Sequence, residues 1–354
     1  MEIKNRDGMT YATVEDVKYS LDIQEVAKAE KQIRRALMSA TDTVEGLLKR
    51  RFYPEIRTQN FSWYNSLGAN DLPWTLWLDH NEVISVALLE SGEAITAGSG
   101  GYFLKPDDGP PYTRVELDAS SNVAFDTGTA YQNAITITGT FGYSDDSEST
   151  GTLVGSINSS TTSLDVSDGS LIGIGNLLKI GTERVTVTNR SFKTSSQTIT
   201  ANVANTGATT IPVSSGAAFF EDEIILIDGE RMLIIDIAGD NLIVKRGWDG
   251  SVLEAHTSGA TVYVSRTLTV TRGVLGTVAA SHTTGDAITK LSVPPLIHDL
   301  TIAEAMAQLV QERTAYARTI GKGEGESEVR GVGLADLRER AVAAYGRKKN
   351  GRAS

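Results

Sequence analysis

The chain has 354 residues, of which 40% are hydrophobic and 22% are charged, and its formal net charge is −11. A chain of this length exceeds what one hydrophobic core usually serves, so two or three domains are expected. The absence of cysteine excludes disulfides and thiolate zinc sites. The acidic balance disfavours a protein that coats nucleic acid, and no apolar run predicts a membrane helix or a secretory signal.

Two helices are predicted at the start of the chain. Thr13 and Asp16 are spaced as in a capping box, which predicts a short helix over about residues 13–22. Apolar residues recur at steps of three and four over about residues 25–50, which predicts a longer second helix. Pro54 follows the sequence Arg-Arg-Phe-Tyr and ends this helical pattern.

Two further helices are predicted near the end of the chain. An apolar stripe after Pro295 predicts a helix over about residues 299–318, whose apolar face is expected to pack on the second helix. Residues 321–333 are rich in glycine and are expected to form a flexible linker. The basic segment 334–345 predicts a short helix, which is too short to be stable alone and is expected to dock on a partner. A frayed basic tail is the alternative.

Short strands are predicted between residues 60 and 142, because apolar residues alternate there between glycine-rich and proline-rich turns. Trp63, Trp74 and Trp77, together with Tyr64, fall in this β region. They indicate packing at its core and rim, or else a platform for carbohydrate or bases. We predict no ligand for them.

The basic residues of the second helix and of its exit admit two interpretations. One is a solvated helix face, and the other is contact with DNA in a channel or with a neighbouring subunit. The residues concerned are Lys31, Arg34, Arg35, Lys49, Arg50 and Arg51.

Residues 147–291 have a β pattern without any helical period, and they contain an internal repeat. Thr162 and Thr209 begin two stretches that align without gaps at an offset of 47 residues. The alignment places Glu183 with Glu230, each followed by arginine.

A second repeated motif has the pattern Arg-Gly-x-x-Gly-Ser/Thr, then four residues, then His-x-x-Gly. It begins at Arg246 and again at Arg272, at an offset of 26 residues. Tandem copies would share one offset, so the two different offsets predict nesting. An inner β module at 198–266 would interrupt an outer module made of 150–190 and 267–291. The repeated residues are Arg246, Gly247, Gly250 and His256, and Arg272, Gly273, Gly276 and His282.

The repeated histidines are interpreted as structural. Metal or acid–base chemistry would require shared carboxylate partners, and the candidates Glu254 and Asp286 are not shared between the copies. The arginine and histidine side chains are instead expected to bind backbone carbonyls of an irregular glycine-rich loop. No catalytic, metal-binding or cofactor-binding residue is predicted, and the chain is not expected to be an enzyme.

Five stretches in order resemble one protein family. They are YATVEDVKYSLDI at Tyr11, ALMSATDTVEGLLKRRFYP at Ala36, LWLDHNEVISVALLESGEAI at Leu76, ITITGTFGYSDD at Ile135 and VPPLIHDLTIAEAMAQLVQER at Val293. This arrangement resembles the head-tail connector, or adaptor, proteins of long-tailed double-stranded DNA bacteriophages. In that family the GTFGY-like strand leads almost directly into the proline-started helix, whereas about 150 residues intervene here. The resemblance therefore implies an α+β multidomain chain, with a connector core at 1–145 and 293–354 and a large all-β insertion.

The resemblance also implies a function and partners. Copies of the chain would form a ring of twelve in the virion neck, assembled from protein made in the host cytoplasm. The ring would dock on the portal protein, meet a stopper or tail-terminator protein, and let double-stranded DNA pass without sequence specificity. Portal docking would use the C-terminal helix and tail, through Leu334, Leu337, Arg338, Ala341, Tyr345, Arg347 and Lys348. A surface adhesin whose β modules bind host glycan or capsid is the alternative, and an enzyme acting on cell-wall polymer is a weaker one.

Overall fold

The computed structural model describes residues 8–22, 30–63, 74–125, 131–313, 319–320, 327–328 and 332–347. Within them the chain is a mixture of helix and sheet, as expected, with four α-helices and 19 strands. The strands form a large antiparallel sheet of ten strands, two smaller sheets of four and three strands, and one isolated pair.

The helices are α1 (Val14–Ser20), α2 (Glu30–Leu48), α3 (Pro295–Arg313) and α4 (Val332–Tyr345). The strands of the two smaller sheets are β1 (Glu55–Phe61), β2 (Thr75–Trp77), β3 (Val83–Ser91), β4 (Glu93–Ile95), β5 (Tyr102–Lys105), β6 (Arg114–Leu117) and β7 (Ile135–Phe141). The large sheet contains β8 (Ser147–Val154), β9 (Ser163–Val166), β10 (Leu177–Ile180), β11 (Glu183–Thr198), β12 (Thr210–Pro212), β13 (Ile224–Ile227), β14 (Glu230–Ala238), β15 (Asn241–Lys245), β16 (Thr261–Thr271) and β17 (Ala287–Leu291). The isolated pair is β18 (Thr319–Ile320) with β19 (Ser327–Glu328).

The helix predictions are confirmed in type and differ in some bounds. The capping box of α1 is present, since the Thr13 hydroxyl accepts from the Asp16 amide and the Asp16 carboxylate accepts from the Thr13 amide. Helix α3 begins at Pro295, four residues before the predicted start at 299, because proline suits a first helical position that has no amide to satisfy. The predicted helical residues 25–29 and 314–318 lie outside the described residues. Strands β18 and β19 pair within and beside the segment predicted as linker.

The chain divides into two compact units. The first, called the barrel unit, comprises Met1–Val44 and Ser147–Glu339; the second, called the small-sheet unit, comprises Glu45–Asp146 and Arg340–Ser354. This division differs from the predicted domains, in which 1–145 and 293–354 formed one core apart from the β insertion. The reason is hydrophobic: the apolar faces of the helices are buried in the same cluster as residues of the large sheet.

In the barrel unit, α2 and α3 share a hydrophobic cluster, as the sequence predicted. Leu37 of α2 and Ala305 of α3 are both buried in it, and Arg35 forms an ion pair of 2.7 Å with Glu312 of α3. The same cluster includes α1 and the sheet residues Leu164, Leu178, Ile180, Val185, Leu268 and Ile288. The helices therefore cover the sheet, and the apolar side chains of the helices and of the sheet form one continuous core.

Helix α1 and the segment before it lie against a loop of the large sheet. The amide of Thr10 donates to the carbonyl of Gly175 over 2.9 Å, and the amide of Val14 donates to the carbonyl of Ile174 over 3.1 Å. Gly175 has a φ of +107°, and a Cβ added there would lie 2.1 Å from the Thr10 hydroxyl oxygen. This close approach of two backbones requires glycine.

The large sheet closes on itself twice. Barrel 1 consists of β8, β9, β10 and β17 with residues 183–191 of β11 and 267–271 of β16. Barrel 2 consists of β12, β13, β14 and β15 with residues 193–199, which include the end of β11, and 261–264 of β16. A bridge between Ile199 and Val213 completes its circuit. The long strands β11 and β16 therefore pass through both barrels.

The two barrels pair their strands in the same register. Three residue pairs of barrel 1 have counterparts in barrel 2. Ile180↔Glu183 corresponds to Ile227↔Glu230, and Leu178↔Lys290 corresponds to Ile225↔Val264. Leu268↔Leu164 corresponds to Leu242↔Ile211. Each residue is separated from its counterpart by 47 or by 26 positions, the two offsets of the sequence repeat. A bulge also recurs, at Val187/Asn189 and at Ile234/Asp236.

The small-sheet unit is built on the sheets β1-β7-β3-β4 and β2-β6-β5. Their inward residues, such as Leu89, Val115 and Ile137, form one buried cluster. Trp63 packs against this cluster and lies 4.7 Å from the ring of Phe125, which confirms the packing interpretation for that tryptophan. Trp74 is exposed, the guanidinium of Arg114 lies over the ring of Trp77, and Tyr64 is outside the described residues.

Replacement of Gly175 by alanine is expected to weaken the docking of α1 on barrel 1. The new methyl group would clash with Thr10 and would also occupy the left-handed region, at a combined cost of about 2–4 kcal/mol. Gly155→Ala is the matched control, because Gly155 has a φ of +90° and no atom within 4 Å of an added Cβ. Thermal unfolding should show a larger loss for Gly175→Ala, and equal losses would contradict the close approach.

Candidate functional site

A buried carboxylate, that of Glu183, lies at the centre of the repeated motif in barrel 1. The guanidinium of Arg272 donates to both of its oxygens, over 2.6 and 2.7 Å, and the imidazole Nε2 of His282 lies 2.9 Å away. The amides of Gly273 and Ala280 also donate to it, over 3.1 and 3.0 Å. The remaining Arg272 donors reach the carbonyls of Asn158, Thr161 and Ala280.

Barrel 2 contains the same arrangement around Glu230. Arg246 donates to both carboxylate oxygens, and Nε2 of His256 lies 3.1 Å from one of them. The amides of Gly247 and Glu254 donate to the same carboxylate, each over 3.0 Å. Arg246 also reaches the carbonyls of Asn205 and Glu254. Each cluster thus fastens a strand to two distant loops.

The motif glycines hold the loop of each cluster in a left-handed conformation. Gly247 and Gly273 have φ values of 63° and 62°, and Gly250 and Gly276 have values of 71° and 82°. Side chains other than glycine rarely adopt these angles. The recurrence of these glycines is therefore explained by backbone geometry.

The electrostatics of the two clusters favour an ionised glutamate. Burial alone would raise the pKa of Glu183, but the hydrogen bonds from Arg272, the Ala280 amide and His282 lower that pKa to about 2. The pKa of Glu230 is lowered in the same way, against burial, by Arg246, the Glu254 amide and His256. A carboxylate with this many donors is a poor base at neutral pH, so the clusters are suited to structure.

The sequence interpretation of the motif was right for the arginines and incomplete for the histidines. The arginines bind backbone carbonyls, as expected, whereas each histidine contacts the central glutamate and a second carboxylate, Asp286 in barrel 1 and Asp228 in barrel 2. The glutamates were missed as centres, although they are aligned in the repeat. Among the described residues, no three histidine or acidic side chains are grouped so as to hold a metal ion.

A second cluster lies in the small-sheet unit and brings together three of the five stretches that carry the family resemblance. The Arg50 guanidinium pairs with Glu82 at 2.9 Å and lies over the ring of Tyr143 at 5.3 Å. The ring of Phe52 is 5.1 Å from Tyr143 and 6.0 Å from Tyr345 of α4. The helix exit, the GTFGY strand end and the C-terminal helix therefore meet in this arginine–aromatic cluster.

The other basic residues predicted to face DNA or a subunit make contacts within the chain or are exposed. Arg34 donates to the Thr188 carbonyl over 3.0 Å, and Arg51 forms an ion pair of 2.9 Å with Glu55. Arg35 pairs with Glu312, as described above. Lys31 and Lys49 are exposed. Four of the six basic residues, including Arg50, thus have partners inside the chain, which reduces the positive charge that they offer to DNA.

The residues predicted to dock on a portal also contact their own chain. Arg338 forms a bidentate pair with Glu304 of α3, and Ala341 is fully buried. Leu334 and Leu337 are half-buried, and Tyr345 belongs to the arginine–aromatic cluster. The amide of Arg347 donates to the Leu48 carbonyl, and burial lowers the pKa of its guanidinium. Lys348 is outside the described residues.

Comparison with known proteins adds no family to this geometry. No protein-family model matches the chain, and no curated protein or solved structure is similar to it. Within the described residues, none of the helices has the length and apolar character needed to cross a membrane.

Replacement of Glu183 by glutamine is expected to destabilise the protein by about 3 kcal/mol at pH 7, because the buried Arg272 would lose its counter-charge. The folded-state pKa of Glu183 is depressed from 4.5 to about 2. Its stabilisation is therefore complete above pH 4.5 and is lost as the pH falls towards 2. Thermal unfolding should show a large difference between wild type and variant at pH 7 and a small one near pH 2. Glu221→Gln, at an exposed position, is the control, and a difference independent of pH would contradict this assignment.

Proposed function

We propose that this chain is a structural protein of a bacteriophage virion, which docks on the portal as a head-to-tail adaptor ring. The observation that carries the proposal is the arginine–aromatic cluster. Three of the stretches that resemble the adaptor family, far apart in sequence, contribute Arg50 with Phe52, Glu82, and Tyr143 to it, and α4 adds Tyr345. Such convergence is expected if these three stretches and α4 form one functional body of an adaptor.

The adaptor proposal assigns a second task to α4. Its inner face is occupied by contacts within the chain, so portal docking would use its outer face and the residues after it. Val342 lies on that outer face and is 42% exposed. The proposed ring of twelve copies would need head-to-tail contacts that close. Double-stranded DNA would pass through its lumen without sequence-specific contacts.

We further infer that barrel 2 is a copy of barrel 1, inserted into a hairpin of barrel 1. The shared register, the recurring bulge and the two Glu–Arg–His clusters support this nesting. Barrel 2 closes the corresponding hairpin with a turn at Gly239 and Asp240, between the paired residues Ala238 and Asn241. In barrel 1 the equivalent pair is Ser191 and Thr267, and the whole of barrel 2 occupies the place of that turn.

A surface protein whose barrels bind host glycan or capsid is the second candidate function. It is favoured by a cleft that the helices and barrel 2 form within the barrel unit, described in the next subsection. In that case the helices would serve as a base for the barrels. Adaptor and surface functions are separable by particle assembly, which only the first requires.

Excision of barrel 2 is expected to leave barrel 1 folded. Residues 192–266 would be replaced by Gly-Asp, so that the Ser191–Thr267 pair is closed by the turn that barrel 2 uses. Circular dichroism and thermal unfolding should show a cooperative β protein. The control replaces 187–270 by Gly-Asp, closing the Thr186–Thr271 pair, and so removes the segments of β11 and β16 that complete barrel 1. Equal stability of the two variants, or loss of folding in both, would contradict the nesting.

The adaptor proposal is tested by Val342→Asp in a phage that encodes the chain. A charge on the outer face of α4 is expected to prevent docking, so DNA-filled heads and free tails should accumulate, with infectious particles reduced at least about tenfold. Val278→Asp is the matched control, since Val278 is 83% exposed on a loop of barrel 1. Electron microscopy and phage titres should show the defect in Val342→Asp particles and normal assembly in Val278→Asp particles. Normal particles with Val342→Asp would count against portal docking through α4.

A further inference from the structure

A cleft of about 410 Å³ lies in the barrel unit, where α1 and α3 face barrel 2. This volume lies in the range of about 300–1,000 Å³ that is typical of small-molecule sites. Barrel 2 contributes Asp222, Ile224, Leu233 and Trp248 to the lining, and α1 and α3 contribute Tyr19 and Ile302.

Barrel 1 shows which of these residues the barrel fold requires. The residues of barrel 1 equivalent to Asp222 and Trp248, at offsets of 47 and 26, are Gly175 and Val274. Barrel 1 forms the same strand pairs and the same loop with glycine and valine at these places. The carboxylate and the indole are therefore additions that the barrel architecture does not demand.

Asp222 occupies a backbone conformation in which glycine would be less strained. Its φ is +61°, in the left-handed region, where Gly175 of barrel 1 also lies. Non-glycine residues are uncommon there, and aspartate is among those that tolerate the region best. Its side chain is exposed at the cleft, and no described group forms a hydrogen bond with the carboxylate.

Two buried donors at the cleft have no acceptor among the described residues. Trp248 is only 3% exposed, and its indole N–H is unpaired. The Nε–H of Arg190, which also lines the cleft, is unpaired too, although its terminal nitrogens bind the carbonyls of Gly169 and Ser265. Buried donors are costly to leave without an acceptor. Both nitrogens have less than 1 Å² of accessible surface, so a ligand that presents acceptor oxygens would satisfy them once a side-chain shift opens them to the cleft.

The other charged groups of the cleft are already paired. Glu15 accepts from the Ile174 amide and lies 3.4 Å from Arg190. Asp16 is 3.1 Å from His298, and Lys18 is 2.7 Å from Asp249. The two donors disfavour a cation, and the carboxylates of Glu15, Asp16 and Asp222 disfavour an anion. The cleft is thus suited to an uncharged ligand that both donates and accepts hydrogen bonds and has an apolar face.

We propose that this cleft binds a neutral sugar residue, whose hydroxyl groups accept from Trp248 and Arg190 and donate to Asp222. The C–H face of the sugar ring would lie against Ile224, Leu233 and Ile302. Sugars combine these donor, acceptor and apolar surfaces in one small ring. The proposal supplies a ligand for the surface function and is independent of the adaptor function, which is tested by particle assembly.

The experiment is saturation-transfer NMR on the full chain with the methyl glycosides of glucose, galactose, rhamnose and N-acetylglucosamine. At least one of them is expected to receive saturation. Trp248→Val and Asp222→Gly introduce the residues of barrel 1, so folding should be retained while affinity for that sugar falls at least about tenfold. Ile235→Thr, which introduces the barrel 1 residue at an exposed position outside the cleft lining, is the matched control and should bind as wild type.

Three results would overturn the proposal. The first is the absence of saturation transfer to all four glycosides. The second is unchanged binding in both Trp248→Val and Asp222→Gly. The third is loss of folding in both variants by circular dichroism, which would show that these residues serve the barrel; if only one variant fails to fold, binding by the other decides.

Discussion

The buried pairing of one glutamate with one arginine is the interaction on which the large sheet depends. In each barrel this pair lies where a strand must be joined to loops that are remote in sequence, and each carboxylate accepts from two loop amides as well. A buried charge without its partner is strongly destabilising, so every group that contacts Glu183 or Glu230 is constrained together. The need to neutralise a buried glutamate and to hydrogen-bond it accounts for the repeated arginine, the repeated histidine and the left-handed glycines. The sequence shows these residues only as a repeated pattern.

The shared strands β11 and β16 impose the second constraint. Because both strands continue from one barrel into the other, barrel 2 is connected through two paired strands and not through a flexible linker. Ion pairs of 2.7 Å from Lys18 to Asp249 and from Asp22 to Lys245 also join the α1 region to barrel 2. The cleft proposed to bind sugar depends on this fixed arrangement, since its walls come from α1, α3 and both barrels.

Local patterns in the sequence predicted the local structure well. The capping box of α1 and the strands of the small sheets follow from spacings of a few residues, and the structure contains both. The two repeat offsets also recur in the strand pairs of the barrels. That the helices pack on the large sheet was harder to predict. An apolar helix face indicates that some other element covers it, but it does not identify that element. Gly173 and Gly175 were the available signal: an added Cβ at either would collide with the segment around Thr10 and Thr13. The role of Glu183 was hidden for a related reason, since its partner Arg272 is 89 residues away.

Comparison of the two barrels, which pair their strands in the same register, separates what their fold requires from what a site requires. Residues shared by the two barrels, such as the glutamate, arginine and histidine of each cluster, are explained by the architecture that both barrels have. Residues that differ between the barrels at equivalent positions are not required by the barrel fold. They differ because each barrel contacts different neighbouring segments. Thr186 is buried in barrel 1, at the position equivalent to that of Leu233 beside the cleft in barrel 2. Gly175 of barrel 1 accommodates Thr10, whereas the equivalent residue of barrel 2, Asp222, is exposed to solvent. Barrel 1 therefore has the small residues that close contact with the helices requires, while barrel 2 carries a carboxylate and an indole at equivalent positions that line an open cleft.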